Sequence, residues 1–278
     1  MVPLILVNVI VIVGPSIAAL YYSFTNWDGI SAAHWTGLTN FRRLLHDGEF
    51  RTGLEHNLEW TAMFLTVPIA MGLLGAFLLS QITRFRLLFR TIFFIPYVIA
   101  SVVNAFIWQI ILDPQQGIAA QLQRIDIGWL NGVAFFGDVN LALPAVAFVD
   151  NWHFWGFLVV LFLAAMQSIP TELYEAQRVD GGGRWAEFWH VTLPGIRPTL
   201  VFVVVIVTIW SFLTFDYVYI ITQGGPGGAT DTAATLLYRT MFSYNEAGYA
   251  ASMGLALALV SVVVTLAYAY VKRRGWDV

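Results

Sequence analysis

Six stretches of predominantly apolar residues recur along the chain. Each has about the 20-residue length that an α-helix needs to cross a bilayer. In hydrocarbon every backbone N–H and C=O must be satisfied internally, so each stretch reads as a helix. They run from about Pro3 to Tyr22, Leu58 to Leu79, Leu88 to Leu112, Leu141 to Met166, Thr199 to Ile221 and Tyr249 to Tyr270. With 58% hydrophobic and 11% charged residues, the expected fold is an all-α membrane protein with residues 1–278 forming one transmembrane domain of six helices. The first run lacks a basic leader and a small-residue cleavage site, so it reads as a span and not a signal peptide. The chain begins almost inside that span, so a short cytoplasmic leader is expected before it.

Charge orients the spans. The loops after the second and fourth runs and the C-terminal tail hold Arg84, Arg86, Arg90, Arg178, Arg184, Arg197, Lys272, Arg273 and Arg274. The opposite side holds Arg42, Arg43, Arg51, Arg124 and Arg239, in longer loops. The positive-inside rule therefore puts the first set, and both termini, in the cytoplasm. A net charge of −3 argues against a nucleic-acid partner, and the absence of cysteine excludes disulfides, thiolate metal sites and thiol nucleophiles.

The one long polar stretch between apolar runs that looks built to hold a shape is residues 172–200. Pro170 and Thr171 signal a helix start, and Glu172 and Glu175 are expected in its first turn, where the helix dipole favours carboxylates. Gly181, Gly182 and Gly183 break that helix. A second amphipathic segment follows with Trp185, Phe188 and Trp189 at helical spacing, and Leu193-Pro194 is expected to end it. The result is two short helices around a glycine elbow.

This stretch resembles the EAA loop of ABC importer permeases. Glu175-Ala176, Asp180-Gly181, Phe188, Leu193-Pro194 and Pro198 stand at that family's spacing, with departures at Gln177 and Gly182, where the family usually has Ala. The resemblance implies a type I importer permease core whose loop couples to an ATPase through Glu175, Ala176, Asp180, Gly181, Phe188, Leu193 and Pro194. Gly37-Leu38 through Leu45 and Gly224-Gly225-Pro226 through Tyr249 are similar to the carbohydrate-uptake branch, and to the larger-subunit type of maltose permease. That resemblance implies a heterodimer with a second permease subunit and two cytoplasmic ATP-binding-cassette subunits. It also implies an extracytoplasmic sugar-binding protein and a bacterial or archaeal cytoplasmic membrane. ATP and Mg would be held by the partner ATPases, with no cofactor, metal or catalytic residue in this chain. Gly224–Gly228 resembles a phosphate-binding loop in glycine content alone, with no Lys-Ser or Lys-Thr after it. Asn40 is expected to cap a short amphipathic helix on the outer face.

Ionisable residues at membrane depth mark function by default. Here they are Asp150 and Asp216, with His153; Glu59 and Arg90 stand within two residues of the starts of their runs, and no Lys or Arg lies deeper in any run. An anionic substrate would want a fixed cation, so the set suits a neutral mono- or oligosaccharide. The expected substrate path takes Asp150, Asn151, Trp152 and Trp155 from the fourth run. From the fifth it takes Thr208, Ser211, Thr214, Phe215 and Asp216. Indole rings offer flat surfaces to the C–H face of a sugar, and Asp, Asn, Ser and Thr pair hydroxyls. Against these stand an interfacial aromatic belt for the tryptophans and helix–helix hydrogen bonding for the Ser/Thr stripe. Asn104, Trp108 and Gln109 are secondary candidates. The alternatives are an ion-coupled secondary transporter using Asp150 and Asp216, or an importer of a polyol or glycerol phosphate. The secondary transporter leaves loop 172–197 unexplained, and the runs show no inverted repeat of broken helices.

Overall fold

The computed structural model describes residues 6–82, 84–118, 120–121 and 133–273. Residues 3–5 of the first run, Arg124 and Arg274 lie outside the described residues. Among the described residues the chain is helical apart from loops and an isolated antiparallel bridge between Thr25 and Trp35. The helices are α1 (Leu6–Tyr22), α2 (Thr39–His46), α3 (Gly48–Gln81), α4 (Arg86–Val98), α5 (Ser101–Ile111) and α6 (Ala142–Met166). After them come α7 (Thr171–Val179), α8 (residues 184–195), α9 (Arg197–Phe212), α10 (Asp216–Ile221), α11 (Ala233–Phe242) and α12 (Ala247–Arg273).

Four segments among the described residues are long and apolar enough to cross a membrane: α3, α6, Arg197–Ile221 and Ala247–Tyr270. The third expected run is a bent pair, α4 and α5 meeting at 94°, and α1 is a shorter apolar helix. The expectation of one straight helix over 88–112 is therefore corrected. Ile99 and Ala100 are extended, and the Ile99 carbonyl, which has left the helical ladder, accepts from His153 Nε2 at 3.0 Å. The fifth run also breaks, at residues 213–215. There the Ser211 carbonyl accepts from Asn57 Nδ2 at 2.7 Å and the Thr214 carbonyl from Thr232 Oγ1 at 2.8 Å. Irregular backbone at membrane depth is tolerated only when its polar groups are satisfied in this way.

The core lies between α3 and α6, where Trp60, Leu158, Val159 and Phe162 are fully buried. Glycines let the two backbones approach: a Cβ on Gly72 would lie 2.7 Å from Leu158 Cβ, and one on Gly75 would lie 2.8 Å from Val159 Cγ2. On the far side of α6, a Cβ on Gly156 would collide with the Phe93 carbonyl of α4.

The end of the bundle that carries α2 and α11 is tied by polar contacts. Arg43 pairs with Glu246 at 2.7 Å and sits over the Tyr249 ring, while the Tyr249 hydroxyl donates to Asp47 Oδ2 at 2.5 Å. Asn40 does not cap α2, whose N-cap is Leu38. Its buried side-chain amide instead donates to the Ser23 and Thr25 carbonyls, at 2.9 and 2.8 Å. Two loop carbonyls that no helix serves outcompete the local cap. The chain turns at Gly224–Gly228, as expected, and Thr232 starts α11 with a reciprocal cap to Thr235.

Candidate functional site

The two helix breaks meet α6 at a cavity of about 380 Å³. Tyr97 and Ser101 line it from either side of the α4–α5 bend; Asp150, His153 and Phe154 come from α6. Trp210 and Leu213–Tyr217 come from the second break. Tyr217 is held by its hydroxyl, which accepts from Asn104 Nδ2 at 3.2 Å. Gln109 Nε2 braces the same joint by donating to the Ile220 and Ile221 carbonyls. The walls thus combine aromatic faces, a hydroxyl from Thr214 and two carboxylates, Asp150 and Asp216. No Lys or Arg is among the lining residues.

Of the nine residues expected on the path, four line this cavity: Asp150, Thr214, Phe215 and Asp216. The other five are placed elsewhere. Asn151 is buried against Met71, its Nδ2 3.8 Å from the sulfur. Trp152 stands edge-on to Trp108, at 5.8 Å between rings, and Trp155 edge-on to Phe93, at 5.1 Å. Thr208 and Ser211 bond back to the Val204 and Val207 carbonyls one turn earlier. The even spacing of Thr208, Ser211 and Thr214 marks a face only while the helix is continuous, and it ends at Phe212. Tyr97 and Ser101 were missed; the signal for them was Pro96 inside an apolar run, a hint that the helix does not pass straight through. His153, Trp210 and Tyr217 stood beside the chosen residues in the sequence and join the cavity through the bends.

At the opposite end of the bundle, α7 and α8 form the elbow anticipated from sequence. Glu172 lies in the first turn of α7, and Glu175 falls one turn later than expected. No residue of α7 is buried. The helix is held from one side: the Tyr174 hydroxyl meets Thr192 Oγ1 at 3.1 Å, and Arg178 Nε donates to Glu187 Oε1 at 2.6 Å. That bond to Glu187 raises the Arg178 pKa above its ordinary value. Glu187 is buried and was not singled out in the sequence. Phe188 anchors α8 on the bundle through Phe77, 5.0 Å between rings, whereas Trp185 and Trp189 remain exposed. Ala176 and Asp180 are exposed on α7 and at its end.

The elbow shows why glycine stands at 181 and corrects one expectation. Gly181 has φ of +82°, a conformation that favours glycine, but no atom of this chain lies within 4 Å of where its Cβ would sit. Backbone shape, and not an internal clash, selects glycine there. Leu193-Pro194 does not end α8, which continues to Gly195. A π-helical turn at Phe188–Thr192 widens the helix where the proline ring would otherwise meet the His190 carbonyl.

Residues 68–276 match the family described as "Binding-protein-dependent transport system inner membrane component". The chain is 30% identical to the probable starch degradation products transport system permease protein AmyD of Thermoanaerobacterium thermosulfurigenes, covering 98% of this chain and 92% of that protein. It is 32% identical to the diacetylchitobiose uptake system permease protein NgcF of Streptomyces coelicolor, over 92% of this chain and 76% of the relative. Among solved structures, a bacterial ABC transporter involved in import of the acidic polysaccharide alginate matches with a TM-score of 0.87 at 26% identity. That match covers 98% of this chain and 93% of the other. A mostly helical membrane chain, with broken helices around an aromatic-lined cavity and an exposed helical elbow, is thereby placed: it belongs to the family of inner membrane components of binding-protein-dependent transport systems, the permeases of ABC importers.

Proposed function

We propose that this permease passes a neutral mono- or oligosaccharide through the cavity between α4–α5, α6 and α9–α10. The observation that carries this reading is the chemistry of that cavity. Tyr97, Phe154, Trp210, Phe215 and Tyr217 offer ring faces. Thr214, Asp150 and Asp216 offer hydroxyl partners, and no fixed cation is present. An acidic saccharide such as a uronate, or a sugar phosphate, would meet two carboxylates and no guanidinium or ammonium. The printed activities of the two curated relatives, uptake of starch degradation products and of diacetylchitobiose, agree with a sugar.

In this reading six spans cross the membrane, with both termini and the α7–α8 elbow in the cytoplasm. A second permease subunit completes the pathway, and an extracytoplasmic binding protein delivers the sugar at the α2/α11 end. Two ATPase subunits bind ATP and Mg, and this chain itself catalyses nothing. Support for the elbow as the joint is its exposure: Leu173 and Val179 present apolar side chains beside Glu172 and Glu175, with α7 held only on its inner side. ATP drives net import only if the sugar binds the two conformations with different free energies. The test is competition uptake by the reconstituted transporter. Neutral sugars should compete, while sugar phosphates and uronates should not. Competition by the charged sugars alone would overturn the reading.

A further inference from the structure

We propose that Phe215, Tyr219, Tyr238 and Phe242 form an aromatic track that leads a saccharide chain from the surface of α11 into the cavity, so that the transporter takes oligosaccharides in preference to monosaccharides. The inference rests on the cavity being a sugar site.

The rings are continuous across three elements. Phe215 lines the cavity at the second helix break. It stacks on Tyr219 of α10, with centroids 5.0 Å apart and planes 17° from parallel. Tyr219 stands edge-on to Tyr238 of α11 at 4.9 Å, and Tyr238 also lies 5.1 Å from Phe215. Tyr238 meets Phe242 at 4.7 Å. Core aromatics in such a run would be buried, yet Tyr219 is 38% and Phe242 60% exposed. Tyr219 beside Tyr238 raises the pKa of the Tyr238 hydroxyl. Packed rings with a polar edge suit a pyranose, which has an apolar C–H face and a hydroxyl rim. The cavity chemistry already described does not use Tyr219, Tyr238 or Phe242, none of which lines the cavity.

Chain-length dependence follows from connectivity. Once one sugar unit occupies the cavity, a second unit meets Tyr219 and Tyr238 at high effective concentration. A monosaccharide has no second unit to place there. The rival explanation is an interfacial aromatic belt, which would serve the membrane and be indifferent to substrate length.

The test uses the whole transporter in proteoliposomes, with its binding protein and ATPases. The probes are glucose, xylose and N-acetylglucosamine and their linear oligomers of two to six units. Tyr238→Ala and Phe242→Ala should each lower oligomer kcat/KM by about fivefold, the scale of one aromatic contact. Monomer uptake and ATPase stimulation by the loaded binding protein should stay at wild-type levels. Tyr238→Phe and Phe242→Tyr, which keep the ring, should retain oligomer uptake. Equal losses for monomers and oligomers, no loss with either, or reduced recovery of the assembled complex with Phe242→Ala would overturn the track. So would a wild-type transporter that takes up monomers alone. A wild-type transporter that takes up none of the saccharides would overturn the sugar reading itself, and the track with it.

Discussion

The backbone N–H of Gly182 donates to the Gln177 carbonyl at 2.9 Å, and the Gln177 side-chain amide fills the space that a Cβ on residue 182 would need. These are the two positions at which the elbow departs from the pattern it resembles, and the structure makes them one feature. With glutamine at 177, a Cβ at residue 182 fits only if that side chain swings away and the backbone shifts from the Gln177 carbonyl oxygen. Gly182→Ala should therefore destabilise the elbow by about 1–3 kcal/mol, as overpacking does. Adding Gln177→Ala should restore only the side-chain part of the loss, because a Cβ would still lie 2.8 Å from the Gln177 carbonyl oxygen. A double-mutant cycle on thermal inactivation of the complex measures the coupling. Strict additivity of the two changes would contradict it.

Asp216 opens α10 and faces the cavity. Replacing it by Ala should cut uptake about tenfold or more, the scale of a lost hydrogen bond to a charged group. The complex should still assemble, since Asp216 is exposed. Uptake at the wild-type level with full assembly would remove Asp216 from the path. Failure to assemble would make it a bundle residue.

Asn57 is fully buried, and its amide serves two backbones: Nδ2 donates to the Ser211 carbonyl and Oδ1 accepts from Ala233 N at 2.9 Å. It ties α3 to the end of α9 and to the start of α11. Asn57→Ala should lower stability by about 1–3 kcal/mol for each backbone group left unpaired. A fall in the inactivation temperature of the detergent-purified complex reads this out, and an unchanged temperature would contradict it.

The apolar runs and the elbow were legible because they depend on segment length, glycine placement and local spacing. What was not legible depends on partners distant in the chain. The bend at Ile99 is completed by His153, and the break after Phe212 by Asn57 and Thr232. No local pattern announces those pairs. Once the helices break, helical spacing misassigns faces: of the Thr208, Ser211 and Thr214 stripe only Thr214 reaches the cavity. Asp150 and Asp216 were found because a carboxylate inside an apolar run stands out without any knowledge of geometry. Glu187 was overlooked because nothing local distinguishes it, and only the folded elbow buries it beside Arg178.

In the function proposed above, the α7–α8 elbow transmits ATP-driven motion to the cavity. The ATPase rate of the assembled complex in nanodiscs, with and without loaded binding protein, reads this out for Glu175→Ala and Gly181→Asp. Glu175 is exposed on α7, so removing it deletes one contact to a partner, worth about 1.5–3 kcal/mol if that contact is charge-assisted. Gly181→Asp places a side chain on a backbone held at φ of +82°, at a position open for a partner to approach. Both variants should lose stimulation, Gly181→Asp the more, with sugar affinity of the isolated binding protein unchanged. Full stimulation and full uptake in both would contradict the claim.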